Sequence, residues 1–74
     1  MQTVIKHNNS VVITEHHVKI VTMLSKGKTY SDIANSTKTN TRTIEGQILI
    51  LRRKYKCGNV THLVAHFLRL GIIK

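Results

Sequence analysis

The stretch of sequence that decides the fold spans residues 40 to 57 and reads NTRTIEGQILILRRKYKC. It opens on Asn40, a residue type that is preferred at the N-cap of helices. An apolar stripe follows at spacings of four, three and four residues, formed by Ile44, Ile48, Leu51 and Tyr55. This spacing is typical of one face of an α-helix. Charged residues occupy the opposite face, so the stretch predicts a helix that packs one side on a core and exposes the other.

Two helices are predicted before this stretch. The first runs from about Glu15 to Lys26, with Thr14 as its N-cap and Gly27 as the left-handed residue that ends it. The second is brief and begins after Thr29, whose hydroxyl can cap the helix while the Asp32 carboxylate reaches back in a capping box. Both should supply apolar side chains to the core.

A fourth helix is predicted after the turn at Gly58 and Asn59, and Gly71 should end it. Its apolar residues are Leu63, Val64, Phe67 and Leu68. The expected fold class is therefore all-α, with four helices in one domain of residues 13–74.

The N-terminal tail or arm, residues 1–12, allows two interpretations. β-branched or apolar runs at residues 3–6 and 11–13 flank His7-Asn8-Asn9-Ser10 and could form a hairpin. A frayed tail is the favoured interpretation, because two short strands alone are seldom stable in water.

The chain is strongly basic, since twelve Lys and Arg residues against three acidic ones give a net charge of +9 over 74 residues. Such a charge favours a polyanionic partner, and nucleic acid is the first candidate. No apolar run approaches the roughly 18 to 20 residues that a membrane span needs. We therefore expect a cytoplasmic protein that is associated with the nucleoid and has no membrane partner.

Metal binding and catalysis are both disfavoured by the sequence. Cys57, His62 and His66 are three possible ligands, and the two histidines stand one turn apart on a predicted helix. A fourth ligand is not apparent, and no carboxylate follows His62 as a zinc-hydrolase motif would require. With three acidic residues in all, we expect no metal, no cofactor and no enzymatic activity.

Short segments in a characteristic order and spacing cover residues 13 to 73. They are Ile13-Thr14, Lys19-Ile20-Val21, Met23-Leu24-Ser25-Lys26-Gly27, Tyr30-Ser31-Asp32-Ile33-Ala34, Thr43-Ile44-Glu45, Lys54, Asn59, Leu63-Val64-Ala65, Arg69 and Gly71-Ile72-Ile73. In these segments the chain resembles the LuxR/FixJ-type (GerE-like) DNA-binding domain of bacterial transcription regulators. The resemblance implies that helices two and three form a helix-turn-helix, that helix three enters the major groove, and that helix four pairs two copies on a two-fold DNA site. It also implies that Cys57 is a small buried hydrophobe, because the family tends to place an apolar residue there.

Three outward positions early in helix three are the candidates to approach bases. Glu45 could accept a hydrogen bond from cytosine N4, Leu49 could pack on a thymine methyl group, and Gly46 would let the backbone come close. The family often has Lys, Arg or other polar residues at these positions, and Gly46 and Leu49 depart from that pattern. The base preference is therefore not predicted.

Phosphate contacts are expected along the same helix. Its N-terminus offers backbone N–H groups to an anion, Gln47 stands where the family often has His, and Lys54 matches a basic position of the family. The expected phosphate-binding residues are Thr41, Arg42, Thr43, Gln47 and Lys54. Less specific attraction is expected from Lys28, Lys38, Arg52, Arg53 and Lys56, and Arg53 is counted among the DNA-binding residues.

Dimerisation is expected on helix four, mainly because the resemblance implies it. The candidate residues are Thr61, Ala65, His66 and Arg69. The alternative is a domain that stays monomeric until DNA holds two copies together.

Two classes of function remain open. The preferred one is a sequence-specific transcription regulator, either stand-alone or the output domain of a response regulator, which binds double-stranded DNA as a homodimer and has RNA polymerase as a further candidate partner. The alternative is a protein-interaction module that pairs with another regulator or with RNA polymerase, in which an exposed Leu49 and Ile50 replace base reading. The last region of a sigma factor is a lesser alternative, which the segment 63–73 fits poorly.

Two histidines suggest a dependence of stability on pH. His17 and His62 fall near the third position of helices one and four, where the family usually has acidic residues. A protonated imidazole there faces the positive end of the helix dipole. Acidification should therefore weaken the fold.

Overall fold

The computed structural model describes residues 4–7 and 11–74, and they form a mostly helical domain with four helices. Two short strands, β1 (Val4–His7) and β2 (Val11–Thr14), precede the helices α1 (Glu15–Ser25), α2 (Tyr30–Ser36), α3 (Thr41–Lys54) and α4 (Val60–Arg69). The prediction of a four-helix, all-α domain is confirmed at this level. Within the same residues, no helix combines the length and the apolar character needed to cross a lipid bilayer.

Every helix begins at a side chain that accepts a hydrogen bond from the backbone N–H three residues later. The caps are Thr14, Thr29, Asn40 and Asn59, with donor–acceptor distances of 3.1, 3.0, 2.9 and 2.8 Å. In α2 the Asp32 carboxylate also accepts from the Thr29 N–H at 3.0 Å, which completes the predicted capping box. These hydrogen bonds from the Thr29 backbone and side chain lower the pKa of Asp32. The predicted caps at Thr14, Thr29 and Asn40 are thus confirmed.

Two residues after the last residue of each helix, a residue with positive φ turns the chain back. Gly27 (φ +78°) and Gly71 (φ +74°) follow α1 and α4, as the sequence predicts. Lys38 (φ +56°) and Lys56 (φ +57°) occupy the equivalent positions after α2 and α3. At each end, the residue after the left-handed one donates its N–H to a carbonyl five residues earlier, as in Thr39 N–H to Ala34 O at 2.9 Å. This is the Schellman arrangement, which satisfies carbonyl groups at the end of a helix.

The core is apolar and collects one face from each helix. The predicted stripe of α3 is buried at Ile44, Ile48 and Leu51, while Tyr55 is half-buried with its ring edge-on to Phe67 at a centroid distance of 5.2 Å. The remaining core residues are Ile13, Ile20, Val21, Ile33, Ala34, Cys57, Leu63, Phe67 and Ile73. Cys57 is buried in this core, which confirms its interpretation as a small buried hydrophobe, and burial raises the pKa of its thiol.

The two strands pair as an antiparallel hairpin with the register Val4 to Thr14 and His7 to Val11. The structure therefore shows the hairpin rather than the favoured frayed tail, in the residues that it describes; residues 1–3 and 8–10 lie outside them. The hairpin is not isolated, because Ile13 of β2 is fully buried in the helical core and Thr14 caps α1. That burial supplies the stability that two short strands alone lack.

Candidate nucleic-acid interface

α2 and α3 form a helix–turn–helix unit with a short connection, residues 37–40. Ile33 and Ala34 of α2 share the core with Ile44 of α3. In the connection, the Thr37 hydroxyl donates to Ile33 O at 2.8 Å, and Lys38 adopts its left-handed conformation. The connection and the shared core fix where α3 begins relative to α2.

The N-terminus of α3 is open to an anion. The first N–H groups of a helix have no partner within it. Asn40 Oδ1 takes the Thr43 N–H, which leaves the N–H groups of Thr41 and Arg42 pointing out of the helix end. The side chains of Thr41 and Arg42 are exposed and that of Thr43 is half-buried.

The outward face of α3 carries a second stripe, which we call the outer stripe: Arg42, Gly46, Leu49 and Arg53. Its residues have the same spacing of four, three and four as the buried stripe, and each lies two residues before its counterpart there. Two residues correspond to about 200° around a helix, so the outer stripe lies opposite the core. All four residues are exposed, as are Glu45 and Lys54 beside them.

The three candidate base-reading residues are therefore accessible. Glu45 and Gly46 are exposed, and Leu49 keeps 40% of its surface exposed. A Cβ added at Gly46 would meet no heavy atom within 4 Å outside its own helix backbone and chain neighbours, in the part of the chain that the structure describes. The glycine is thus not required by packing in this domain.

The side chain of Gln47 contacts His16 of α1. Its side-chain Oε1 lies 2.8 Å from Nε2 of His16, and both residues are half-buried. With the imidazole as donor, the oxygen of the Gln47 amide faces α1, and its NH₂ group is the part that can donate to a phosphate. Sequence reasoning did not foresee this contact, since the two residues lie 31 positions apart.

His17 follows His16 on α1. It is half-buried, and among the described residues its Nδ1 has no hydrogen-bond partner. Burial lowers the pKa of His17, and the nearby charges of His16 and Lys54 lower it further. The imidazole is therefore disfavoured in its charged form in the folded protein.

The remaining basic residues around α3 divide into two groups. Arg52 makes contacts within the domain. Its guanidinium donates to the carbonyl of Cys57 at 3.4 Å and to that of Gly58, and these hydrogen bonds stabilise the turn between α3 and α4. Lys38 and Lys56 are exposed and lie just before and just after α3. Sequence reasoning gave these three residues the same weak role and foresaw neither the contacts of Arg52 nor the left-handed conformation of the two lysines.

The candidate dimerisation residues lie along α4 but do not share one environment. Thr61, Ala65 and Arg69 are exposed, and the first two line a shallow apolar groove between α1 and α4. His66 is half-buried, with its ring 5.2 Å from that of Tyr55. The groove also contains Leu68, which is 44% exposed and lies outside the core, unlike Leu63 and Phe67 with which the sequence groups it.

The three possible metal ligands Cys57, His62 and His66 do not form a metal site in the structure. Among the side chains of residues 13–74, no group of three His, Cys, Asp or Glu is placed to hold a metal ion. Cys57 is buried in the core, and the exposed His62 accepts the Gly58 N–H through Nδ1 at 3.4 Å.

Comparisons with known proteins give no match. A scan against protein-family models finds no matching family, and searches of curated proteins and of solved structures find no significant similarity.

Proposed function

We propose that this protein is a transcription regulator that binds double-stranded DNA by placing α3 in the major groove. The observation that carries the proposal is the outer stripe, which exposes two arginines and an uncharged centre on a helix whose other side is buried. A helix suits the major groove when one face anchors it on the domain and the other reaches base edges and phosphates. The LuxR/FixJ-type resemblance supports the same use of α3.

The dimensions of α3 agree with this use. Arg42 and Arg53 lie about 16 Å apart along the helix axis, at about 1.5 Å per residue. The major groove is about 12 Å wide. The two guanidinium groups can therefore reach the phosphates that border the groove while Glu45, Gly46 and Leu49 face the bases between them. Lys54, Thr41 and the Gln47 amide would add phosphate contacts that fix the register.

The charge of the whole chain supports a polyanionic partner. At +9 it would be attracted to any duplex, and the contacts of α3 would add the preference for one orientation. On this proposal the protein acts in the cytoplasm on the nucleoid, as a homodimer on a two-fold site. Thr61, Ala65, His66 and Arg69 of α4 would face the second copy, and RNA polymerase is a further partner.

The alternative is a protein-interaction module without base reading. The exposed side chains of Leu49 and Ile50, at 40% and 58%, favour it, because large apolar groups at a surface mark interaction sites. On this alternative, α3 would dock on another regulator or on RNA polymerase, and the basic residues would contribute only general attraction to DNA.

Neutralising two cations of α3 separates these functions. The double variant Arg42→Ala/Lys54→Ala should lose DNA affinity on the order of ten-fold or more, because each residue is proposed to make a charge-assisted hydrogen bond. The slope of log affinity against log salt should become shallower by about 2, at about 0.9 per phosphate contact. Fluorescence anisotropy on labelled duplex DNA over a range of salt measures both quantities.

The matched control is Lys26→Ala/Lys74→Ala, which removes the same charge from exposed residues at the end of α1 and at the last residue of the chain. It should lose much less affinity than the α3 pair. Equal losses in the two double variants would refute the placement of α3 in the groove and favour the protein-interaction alternative.

A further inference from the structure

The centre of the outer stripe is apolar. Leu49 is 40% exposed and Ile50, its neighbour in sequence, is 58% exposed, and neither belongs to the buried core. Gly46, one turn before Ile50, adds no side chain to cover them. We call Gly46, Leu49 and Ile50 the apolar patch.

Cations flank the apolar patch along the helix. Arg42 lies one turn before Gly46, and Arg53 lies one turn after Leu49, both on the same exposed face. An apolar surface between two arginines, on a chain with a charge of +9, complements a ligand that is anionic at its edges and apolar at its centre. A duplex whose major groove displays methyl groups has that pattern, with phosphates on both sides.

We infer that the apolar patch reads thymine methyl groups, so that Leu49 and Ile50 determine the base preference of the protein. This inference rests on the proposed insertion of α3 into the major groove. The C5 methyl of thymine is the one apolar group that the four bases present in that groove. The open space around Gly46 allows the helix backbone to come close, so the two flanking side chains can reach the methyl groups.

The other base edges would be rejected by the same surface. Every base presents hydrogen-bond donors or acceptors in the major groove, and only thymine adds a methyl group beside them. Leu49 and Ile50 offer no partner, and a polar group that is desolvated without a partner is costly. Glu45 stands one position before the patch as the acceptor for a cytosine N4 donor. Sites that place thymines opposite the patch should therefore be bound in preference to all others.

The test removes the methyl group and leaves the rest of the base. Duplexes are enriched from a random pool by the wild-type protein, and the tightest-binding one is resynthesised with deoxyuridine in place of each thymidine in turn. Deoxyuridine keeps the pairing groups and the O4 acceptor of thymine. At the positions that meet Leu49 or Ile50, affinity should fall about four-fold for each methyl group removed. Uniform affinity across all replacements would overturn the inference.

Variants assign the effect to the patch. In Leu49→Ala/Ile50→Ala the difference between thymidine and deoxyuridine duplexes should disappear, and the variant should fold because alanine favours the helix and the two side chains lie outside the core. The control Lys26→Ala/Lys74→Ala changes exposed residues outside α3, leaves the apolar patch intact and should keep the difference. A difference that persists in the double variant would assign methyl reading elsewhere and overturn the inference.

The outcomes also separate this inference from the proposed function. If the Arg42→Ala/Lys54→Ala variant loses affinity but deoxyuridine has no effect, α3 binds DNA and the methyl reading is wrong. If no duplex is enriched and the charge variants match their control, both proposals fail.

Discussion

Lys38 and Lys56 are lysines in a backbone conformation that favours glycine. Both have φ near +57°, whereas the equivalent residues after α1 and α4 are Gly27 and Gly71. A residue with a Cβ pays on the order of 1 kcal/mol for the left-handed conformation. The two lysines lie at the two ends of α3, the helix proposed to contact DNA. Their charge beside the phosphates would explain why lysine is found where glycine would be more stable.

Replacing either lysine by glycine should therefore separate stability from binding. Lys38→Gly and Lys56→Gly should each raise the free energy of unfolding by about 0.5 to 1 kcal/mol, because glycine removes the strain. Each should also weaken DNA binding, because a cation is lost. Urea denaturation and anisotropy titrations measure the two effects.

Alanine is the matched control at the same positions. Lys38→Ala and Lys56→Ala remove the charge but keep a Cβ in the left-handed conformation, so they should weaken DNA binding without the gain in stability. A glycine variant that gains stability and binds DNA as tightly as wild type would show that the charge has no part in binding.

At the scale of the element, α3 contains a glycine that its own stability does not require. Gly46 lies in the middle of the helix, where glycine costs about 1 kcal/mol relative to alanine. A Cβ there meets no neighbouring heavy atom within 4 Å, in the described part of the chain. Gly46→Ala should thus raise the free energy of unfolding by about 1 kcal/mol. It should also lower DNA affinity, because the Cβ would hold the backbone away from the base edges.

Thermal unfolding and anisotropy titrations of Gly46→Ala measure these two effects. The control is Gly58→Ala, at an exposed glycine outside the helices that also has no heavy atom within 4 Å of an added Cβ among the described residues. It should leave DNA affinity unchanged. If Gly46→Ala binds DNA as tightly as the wild type, the backbone of α3 does not approach the base edges closely at Gly46.

The elements that local signals determine could be predicted from the sequence. The caps at Thr14, Thr29 and Asn40 and the buried stripe of α3 depend on residues within four or five positions of each other, so spacing alone reveals them. The hairpin could not be predicted in the same way, because its stability depends on the burial of Ile13 among helices that follow it. The left-handed residues after α2 and α3 could not be predicted from a glycine either, because they are Lys38 and Lys56.

The candidate site was predictable where it follows from helix geometry and not where it depends on tertiary contacts. The exposure of Arg42, Leu49 and Arg53 follows from their place opposite the buried stripe. The contact of His16 with Gln47 joins residues that are 31 positions apart in the sequence, so no local pattern predicts it. The LuxR/FixJ-type assignment stays a prediction, because no comparison matches the chain.

At the scale of the whole molecule, His17 couples the stability of the fold to pH. Its imidazole is half-buried, and burial, His16 and Lys54 all lower its pKa below the ordinary value of 6.5. When the folded pKa of a histidine is lowered, the unfolded chain binds a proton more readily than the folded one. Stability is therefore fully present above pH 6.5 and is lost as the pH falls below this unfolded value.

The melting temperature of the wild-type protein should thus fall between neutral pH and pH 5. The variant His17→Gln should show a smaller fall, because glutamine does not titrate and can complete the capping box with Thr14 in place of the histidine. Differential scanning calorimetry of both proteins in buffers of equal ionic strength measures the difference, and the other histidines are common to both. An equal fall in the two proteins would place the pH dependence outside His17.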